Sequence, residues 1–117
     1  MTDSNDWFRD RVGLVTGASS GMGSAIAVAL GKAGALVGVN YRRNRDGAAD
    51  TVCQIESAGG RAIAIGADVS LEPDVRRMFD ELTAAFGDRL DLLVNNAGNW
   101  MDKKPIAECD ALTWQQM

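Results

Sequence analysis

The 117-residue sequence contains no histidine, and this absence excludes several common kinds of active site. Without imidazole there is no Ser/His/Asp triad, no Cys/His pair and no histidine-ligated zinc or haem. The two cysteines, Cys53 and Cys109, are far apart and form no CxxC pair, so we predict no metal site. We interpret them as reduced intracellular thiols, since no motif favours a disulfide between them.

Long hydrophobic runs and an excess of positive charge are also absent. No segment approaches the roughly 18 consecutive apolar residues that span a bilayer. Residues 1–11 carry acids where a signal peptide would carry basic and apolar residues. Twelve basic against sixteen acidic residues give a net charge of −4, which offers no attraction to nucleic acid or to an anionic membrane. We therefore expect a cytoplasmic protein with neither kind of partner.

The sequence does contain an α/β pattern that fits one domain over residues 1–117. Hydrophobic residues make up 46% of the chain, enough for a buried core. Ser70 is expected to cap the third predicted helix. The alternation predicts a doubly wound parallel sheet of the Rossmann type, with strand order 3-2-1-4. The predicted strands are 12–15, 35–41, 61–67 and 90–94, and the predicted helices are 24–32, 46–57 and 74–86, with another near Leu112.

The first predicted strand runs into a turn dense in glycine and serine, residues 16–23 (TGASSGMG). Ligands of such sheets bind beyond the carboxyl ends of the strands, where glycines let the backbone approach a phosphate. The N-terminus of the following helix adds unpaired N–H groups and a partial positive charge. A tight turn that merely needs small residues is the alternative interpretation. The phosphate-loop pattern GxxxxGK[ST] is absent, because Ala33 follows Lys32.

Together with two further segments, the glycine turn resembles the motifs of the classical short-chain dehydrogenase/reductase family. Residues 16–23 match its TGxxxGxG cofactor motif, and Asp68-Val69 matches its acidic signature after strand three. Residues 95–98 (NNAG) match its motif after strand four. Each motif lies at the end of a predicted strand, and the three motifs follow one another in the same order as in the family. The resemblance implies an oxidoreductase with a nicotinamide cofactor, and it covers the chain as the N-terminal half of a family member.

The resemblance also implies which residues would bind the cofactor. The glycine turn would surround the ribose and pyrophosphate, Asp68 would accept from the adenine amine, and Asn95 would help to line the path towards the nicotinamide ribose. The alternatives are a helix-start carboxylate for Asp68 and strand-end capping for Asn95 and Asn96. The resemblance also implies that Asn95 ties the central strands together. The implied residues are Gly17, Ser19, Ser20, Gly21, Met22, Gly23, Asp68, Val69, Asn95, Ala97 and Gly98.

The end of the second strand indicates which nicotinamide cofactor would bind. NAD-specific members usually carry an Asp there, whereas this chain has Tyr41 followed by Arg42 and Arg43. A guanidinium such as that of Arg42 can bind a 2′-phosphate with two parallel hydrogen bonds, whereas an acid would repel it. NADP is therefore favoured. NAD remains an alternative, because some members with a similar Asn-Tyr-Arg segment use both cofactors. The other interpretation is that Arg42, Arg43 and Arg45 are solvent-exposed charges with no role in binding.

The family's catalytic groups have no counterpart in these 117 residues. Its chemistry needs a tyrosine with a lysine four residues later and a serine that orients the carbonyl, but the single tyrosine here is Tyr41. We therefore predict no catalytic residue in this chain. We expect a truncated fragment of a longer, homo-oligomeric enzyme that acts on a small carbonyl or alcohol substrate. The alternative is a non-catalytic nucleotide-binding module or a non-functional remnant.

Overall fold

A computed structural model describes residues 8–96, and strands and helices alternate along this part of the chain. The four strands form one parallel sheet of order β3-β2-β1-β4, which confirms the predicted Rossmann-type architecture. Ala97, Gly98 and the helix predicted near Leu112 lie outside the described residues. The elements are β1 (Val12–Thr16), α1 (Gly21–Lys32), β2 (Leu36–Tyr41), α2 (Arg45–Ser57), β3 (Arg61–Gly66), α3 (Glu72–Phe86) and β4 (Leu92–Asn95).

β1 is one of the two inner strands of the sheet and pairs with β2 on one side and with β4 on the other. Val15 of β1 is in register with Val39 and with Val94. All five residues of β1 are buried, which explains why it is a continuous apolar run rather than an alternating one. Because the strands are parallel, the segments that follow them all begin at one edge of the sheet.

Helices cover both faces of the sheet and bury two apolar clusters. On one face, Leu30 of α1 and Ile55 of α2 pack with Val39 of the sheet. On the other face, α3 packs against Leu14 and Ile65. Its buried residues are Val75, Met78 and Leu82, which share one face of the helix, as the spacing of its apolar residues predicts.

All three helices begin earlier than predicted, at Gly21, Arg45 and Glu72 rather than at residues 24, 46 and 74. The first helix begins at Gly21 rather than at residue 24, because Gly21 takes a φ of +61° and turns the chain directly into the helix. The N-cap of α3 is Leu71, so the prediction that Ser70 caps this helix is wrong. Ser70 instead donates to the Asp68 carboxylate, a local bond that competes with capping.

One side of α1 is exposed and apolar. Met22 is 73% exposed, and Ala25 and Ala29 are also exposed. Residues 8–96 therefore leave this side of the helix uncovered. Within that range, no helix combines the length and the apolarity needed to cross a bilayer.

Asp91 joins the start of β4 to β1. One of its oxygens accepts from the Val12 amide at 2.8 Å, and the Arg89 guanidinium donates to both of its oxygens at 2.9 and 2.7 Å. The Arg89 hydrogen bonds, followed by that of Val12, hold the pKa of Asp91 below its usual value. A carboxyl with a lowered pKa stabilises the fold above its unfolded pKa of about 3.9, and the contribution is lost as the pH falls through the folded pKa.

Asp91→Asn is expected to lower the free energy of unfolding at neutral pH and to weaken its decline in acid. The reason is that the amide cannot be protonated as the carboxylate is, so one source of the acid sensitivity disappears. Urea unfolding from about pH 7 down to about pH 2, a range that extends below the unfolded pKa, measures both effects. Asp80→Asn, an equal charge change at an exposed position of α3, is the control. A pH dependence as steep as that of the wild type would contradict the role of Asp91.

Candidate functional site

The turn after β1 is shaped by three glycines with different roles. Gly17 and Gly21 both have a φ of +61°, which other L-residues rarely adopt. A Cβ at Gly21 would meet no atom within 4 Å, so the turn is open there. A Cβ at Gly23, which is buried, would collide with the carbonyl oxygen of Gly17. Gly21 therefore leaves the outer side of the turn accessible, and Gly23 permits the close approach of α1 to β1.

The N-terminus of α1 begins at the open side of this turn. Ser20 is its N-cap, has extended backbone and makes no side-chain capping hydrogen bond. The first turn of the helix carries no acidic residue that would compensate its partial positive charge. The first backbone amides of a helix have no partner within the helix. Here they lie next to the accessible Gly21 and the exposed Ser20 hydroxyl, and together these donors are suited to bind a phosphate.

A buried amide that the sequence-based reasoning missed, Asn40, holds the turn in place. Its Oδ1 accepts from the Gly17 amide at 3.2 Å, and its Nδ2 donates to the carbonyl oxygens of Ile65 and Ala67, both at 3.2 Å. Its own carbonyl oxygen accepts from the Ala18 amide at 2.8 Å. Asn40 is 2% exposed and ties the glycine turn to the end of β3. The signal in the sequence was one amide inside an otherwise apolar strand.

The second helix supplies another connection to the turn. The Thr51 hydroxyl, which is 1% exposed, lies 3.0 Å from the Ala18 carbonyl oxygen and 2.8 Å from the Ser24 hydroxyl. A Cβ at Gly47 would collide with the Ser19 carbonyl oxygen, so the absence of a side chain there lets α2 pack closely on the turn. The glycine turn is thus fixed by both helices on this face of the sheet.

Two asparagines at the end of β4 contact β1. Thr16 Oγ1 donates to Asn95 Oδ1 and accepts from the Asn96 amide, each at 2.9 Å. Asn96 Nδ2 donates to the Gly17 carbonyl oxygen at 3.1 Å. Asn95 therefore joins β4 to β1, a contact between strands of the kind that the resemblance implies for it. Asn96 was not predicted to hold the glycine turn, because the partner that reveals this role is distant in the sequence.

Arg42 and Asp68 meet beyond the ends of β2 and β3. Arg42 Nε lies 3.4 Å from Asp68 Oδ2, and the two side chains are 63% and 22% exposed. Asp68 Oδ1 accepts from the Ser70 amide at 2.9 Å and from its hydroxyl at 2.6 Å. These Ser70 hydrogen bonds, and then the charges of Arg42 and Arg43, hold the pKa of Asp68 below its usual value. Asp68 is therefore an ionised acceptor at neutral pH.

Two further side chains, those of Tyr41 and Val69, lie next to Arg42 and Asp68 in the chain. Tyr41 stacks over Gly66, where an added Cβ would lie 2.9 Å from its hydroxyl oxygen. The side chain of Val69, one of the residues that the resemblance implies for cofactor binding, packs against the apolar cluster between α3 and the sheet. The structure thus brings the glycine turn, Arg42 and Asp68 to the carboxyl edge of the sheet, as predicted from the motifs.

A parallel sheet of order 3-2-1-4 with a glycine turn and an uncapped helix N-terminus at its carboxyl edge defines a Rossmann-type α/β domain. The family described as short chain dehydrogenase matches residues 11–117. The chain belongs to this family of oxidoreductases, which confirms the family resemblance that its three motifs indicate.

Individual relatives agree with this assignment. The chain is 51% identical over 88 residues to an uncharacterised oxidoreductase of Methylorubrum extorquens, covering 75% of this chain and 35% of that protein. It is 46% identical over 88 residues to the short-chain dehydrogenase/reductase homolog YusS of Bacillus subtilis, covering 75% and 80%. A short chain dehydrogenase from Burkholderia cenocepacia in complex with NADP has a TM-score of 0.74 and 41% identity, covering 89% and 44%. The chain spans less than half the length of two of these three proteins.

Proposed function

We propose that this chain forms the cofactor-binding half of an NADP-dependent oxidoreductase that transfers hydride between the nicotinamide and a ketone or an alcohol. The observation that carries the proposal is the open glycine turn at the uncapped N-terminus of α1, with Arg42 at the end of the next strand. Membership of an oxidoreductase family supports a nicotinamide cofactor. NADP in the similar Burkholderia structure supports the phosphorylated form.

The residues at this edge fit the parts of such a cofactor. Main-chain amides at the start of α1, with the hydroxyls of Ser19 and Ser20, would hold the pyrophosphate. The ionised Asp68 would accept from the adenine amine. Asn95 would line the path towards the nicotinamide ribose, and the same role is proposed for Ala97 and Gly98 from the family motif. The nicotinamide ring, when bound, supplies or accepts the hydride.

Arg42 is suited to select the phosphorylated cofactor. Its side chain is 63% exposed and pairs with Asp68 at 3.4 Å, so the guanidinium retains donors for another anion. An exposed ion pair of this kind contributes about 0–1 kcal/mol. A phosphate held by two parallel guanidinium bonds is a stronger interaction, so a 2′-phosphate can recruit Arg42 without a large loss elsewhere.

Arg42→Ala is expected to weaken NADPH binding about 10- to 100-fold, the loss expected for a charged hydrogen-bond partner, and to leave NADH binding nearly unchanged. Titration calorimetry with each nucleotide measures both dissociation constants. Arg45→Ala removes the same charge from the first turn of α2 and is the control for a general electrostatic effect. Equal losses for NADPH and NADH in the Arg42 variant would refute the 2′-phosphate role.

A second candidate function is a nucleotide-binding module without catalysis of its own. It is favoured by the position of Tyr41, the single tyrosine, which stacks over Gly66 at the predicted adenosine end of the site. Oxidation of NADPH by the purified chain in the presence of ketones would exclude this candidate. The carbonyl or alcohol substrate, the homo-oligomer and the cytoplasmic location remain predictions.

A further inference from the structure

The two carboxylate oxygens of Asp68 have different partners. Oδ1 accepts both the amide and the hydroxyl hydrogen bonds of Ser70, at 2.9 and 2.6 Å. Oδ2 faces Arg42 Nε at the longer distance of 3.4 Å. A carboxylate has about four lone-pair positions, so Oδ2 retains capacity for a further donor. With its side chain 22% exposed, Asp68 is accessible to a ligand.

The surroundings of Asp68 maintain this difference between its two oxygens. The Asp68 amide donates to Asp74 Oδ2 at 2.8 Å, which fixes the backbone of Asp68 to α3. Asp74 Oδ1 in turn lies 3.5 Å from Arg77, so the negative charge of Asp74 is itself paired. From the segment after β2, Arg42 and Arg43 supply the positive charges that act on Asp68. Ser70 alone among these groups binds Oδ1 through two donors.

We propose that Ser70 is a positioning residue for base recognition: by occupying Oδ1 of Asp68, it directs Oδ2 towards the exocyclic amine of an adenine nucleotide. This inference rests on the proposed function, in which Asp68 contacts the adenine. The terminal torsion of an aspartate is broad, so a carboxylate without Ser70 would rotate among several orientations. Fixing one orientation before binding reduces the entropy lost when the base arrives.

The test compares NADPH with its hypoxanthine analogue, which has an oxygen where adenine has the amine. Wild-type protein is expected to prefer NADPH by about tenfold, the value of one hydrogen bond to a charged group. Ser70→Ala, which removes the hydroxyl and keeps the amide, is expected to reduce this preference by about threefold. Ser70→Thr restores the hydroxyl and is expected to restore the preference. Asp68→Ala, which removes the acceptor, is expected to abolish it.

The outcomes separate this inference from the proposed function. A preference that Asp68→Ala abolishes but Ser70→Ala leaves unchanged overturns the role of Ser70 alone. An equal loss of affinity for both nucleotides in Ser70→Ala also overturns it, since that result indicates a structural role only. If wild-type protein binds neither nucleotide, or if Asp68→Ala keeps the preference, the adenine contact of the proposed function fails and the role of Ser70 fails with it. Ser70→Gly replaces Ser70→Ala if the alanine variant does not fold.

Discussion

Gly23→Ala is expected to destabilise the chain by about 3 kcal/mol, the upper part of the range for overpacking a close contact. Alanine is the better helix former by about 1 kcal/mol, so the substitution would be favourable at an open helical position. At Gly23, however, the added Cβ would collide with the Gly17 carbonyl oxygen and lie 2.5 Å from Asn96 Nδ2. The first of these is a backbone atom, so α1 must move away from β1.

The same movement would displace the amides that face the proposed pyrophosphate, so we expect NADPH binding to weaken at least about tenfold. Urea unfolding and titration calorimetry measure the two effects. Gly21→Ala is the matched control for the stability measurement, because its Cβ would meet no atom of the protein within 4 Å. Only the strain of its left-handed backbone applies there, about 1–2 kcal/mol. A Gly23→Ala variant as stable as wild type would show that the helix does not depend on this approach.

The alternation of strands and helices could be predicted because the local patterns in this chain agree with one another, and the strand order then follows from the Rossmann arrangement. Each strand is a short apolar run that ends in glycine or polar residues, and α3 shows helical periodicity in Val75, Met78 and Leu82. The start of α1 could not be located to the residue. It depends on the backbone angle of Gly21, which allows the helix to begin directly after Ser20.

The candidate site could be predicted only where it consists of family motifs at the ends of strands. The motifs placed the glycine turn and Asp68 correctly at the carboxyl edge of the sheet. They gave no information about Asn40 or Thr51, because the partners of these residues come from other strands and turns. Ser70 was misassigned as a helix cap, since hydroxyl residues near a helix start can bond equally well to a nearby carboxylate.

Asn40→Asp is expected to destabilise the fold by about 3 kcal/mol or more, the range for leaving a buried charged group poorly paired. The carboxylate can still accept from the Gly17 amide, but it has no donor for the carbonyl oxygens of Ile65 and Ala67. Two acceptors would then face a negative charge at a position that is 2% exposed. Urea unfolding at neutral pH measures the loss.

Acid is expected to reverse part of this loss, which distinguishes a missing donor from a change in packing. Burial beside two carbonyl oxygens raises the pKa of the introduced carboxyl above its unfolded value of about 3.9. The loss in the free energy of unfolding is therefore complete above the raised pKa of the folded protein. It decreases as the pH falls from there towards the pKa of the unfolded chain, because the protonated acid can donate again. Asn44→Asp makes the same change at the exposed N-cap of α2, where Oδ1 accepts from Gly47 and aspartate caps as well as asparagine. We expect that control to change the stability by less than about 0.5 kcal/mol. A loss in Asn40→Asp that is independent of pH would contradict the hydrogen-bonding role of Asn40.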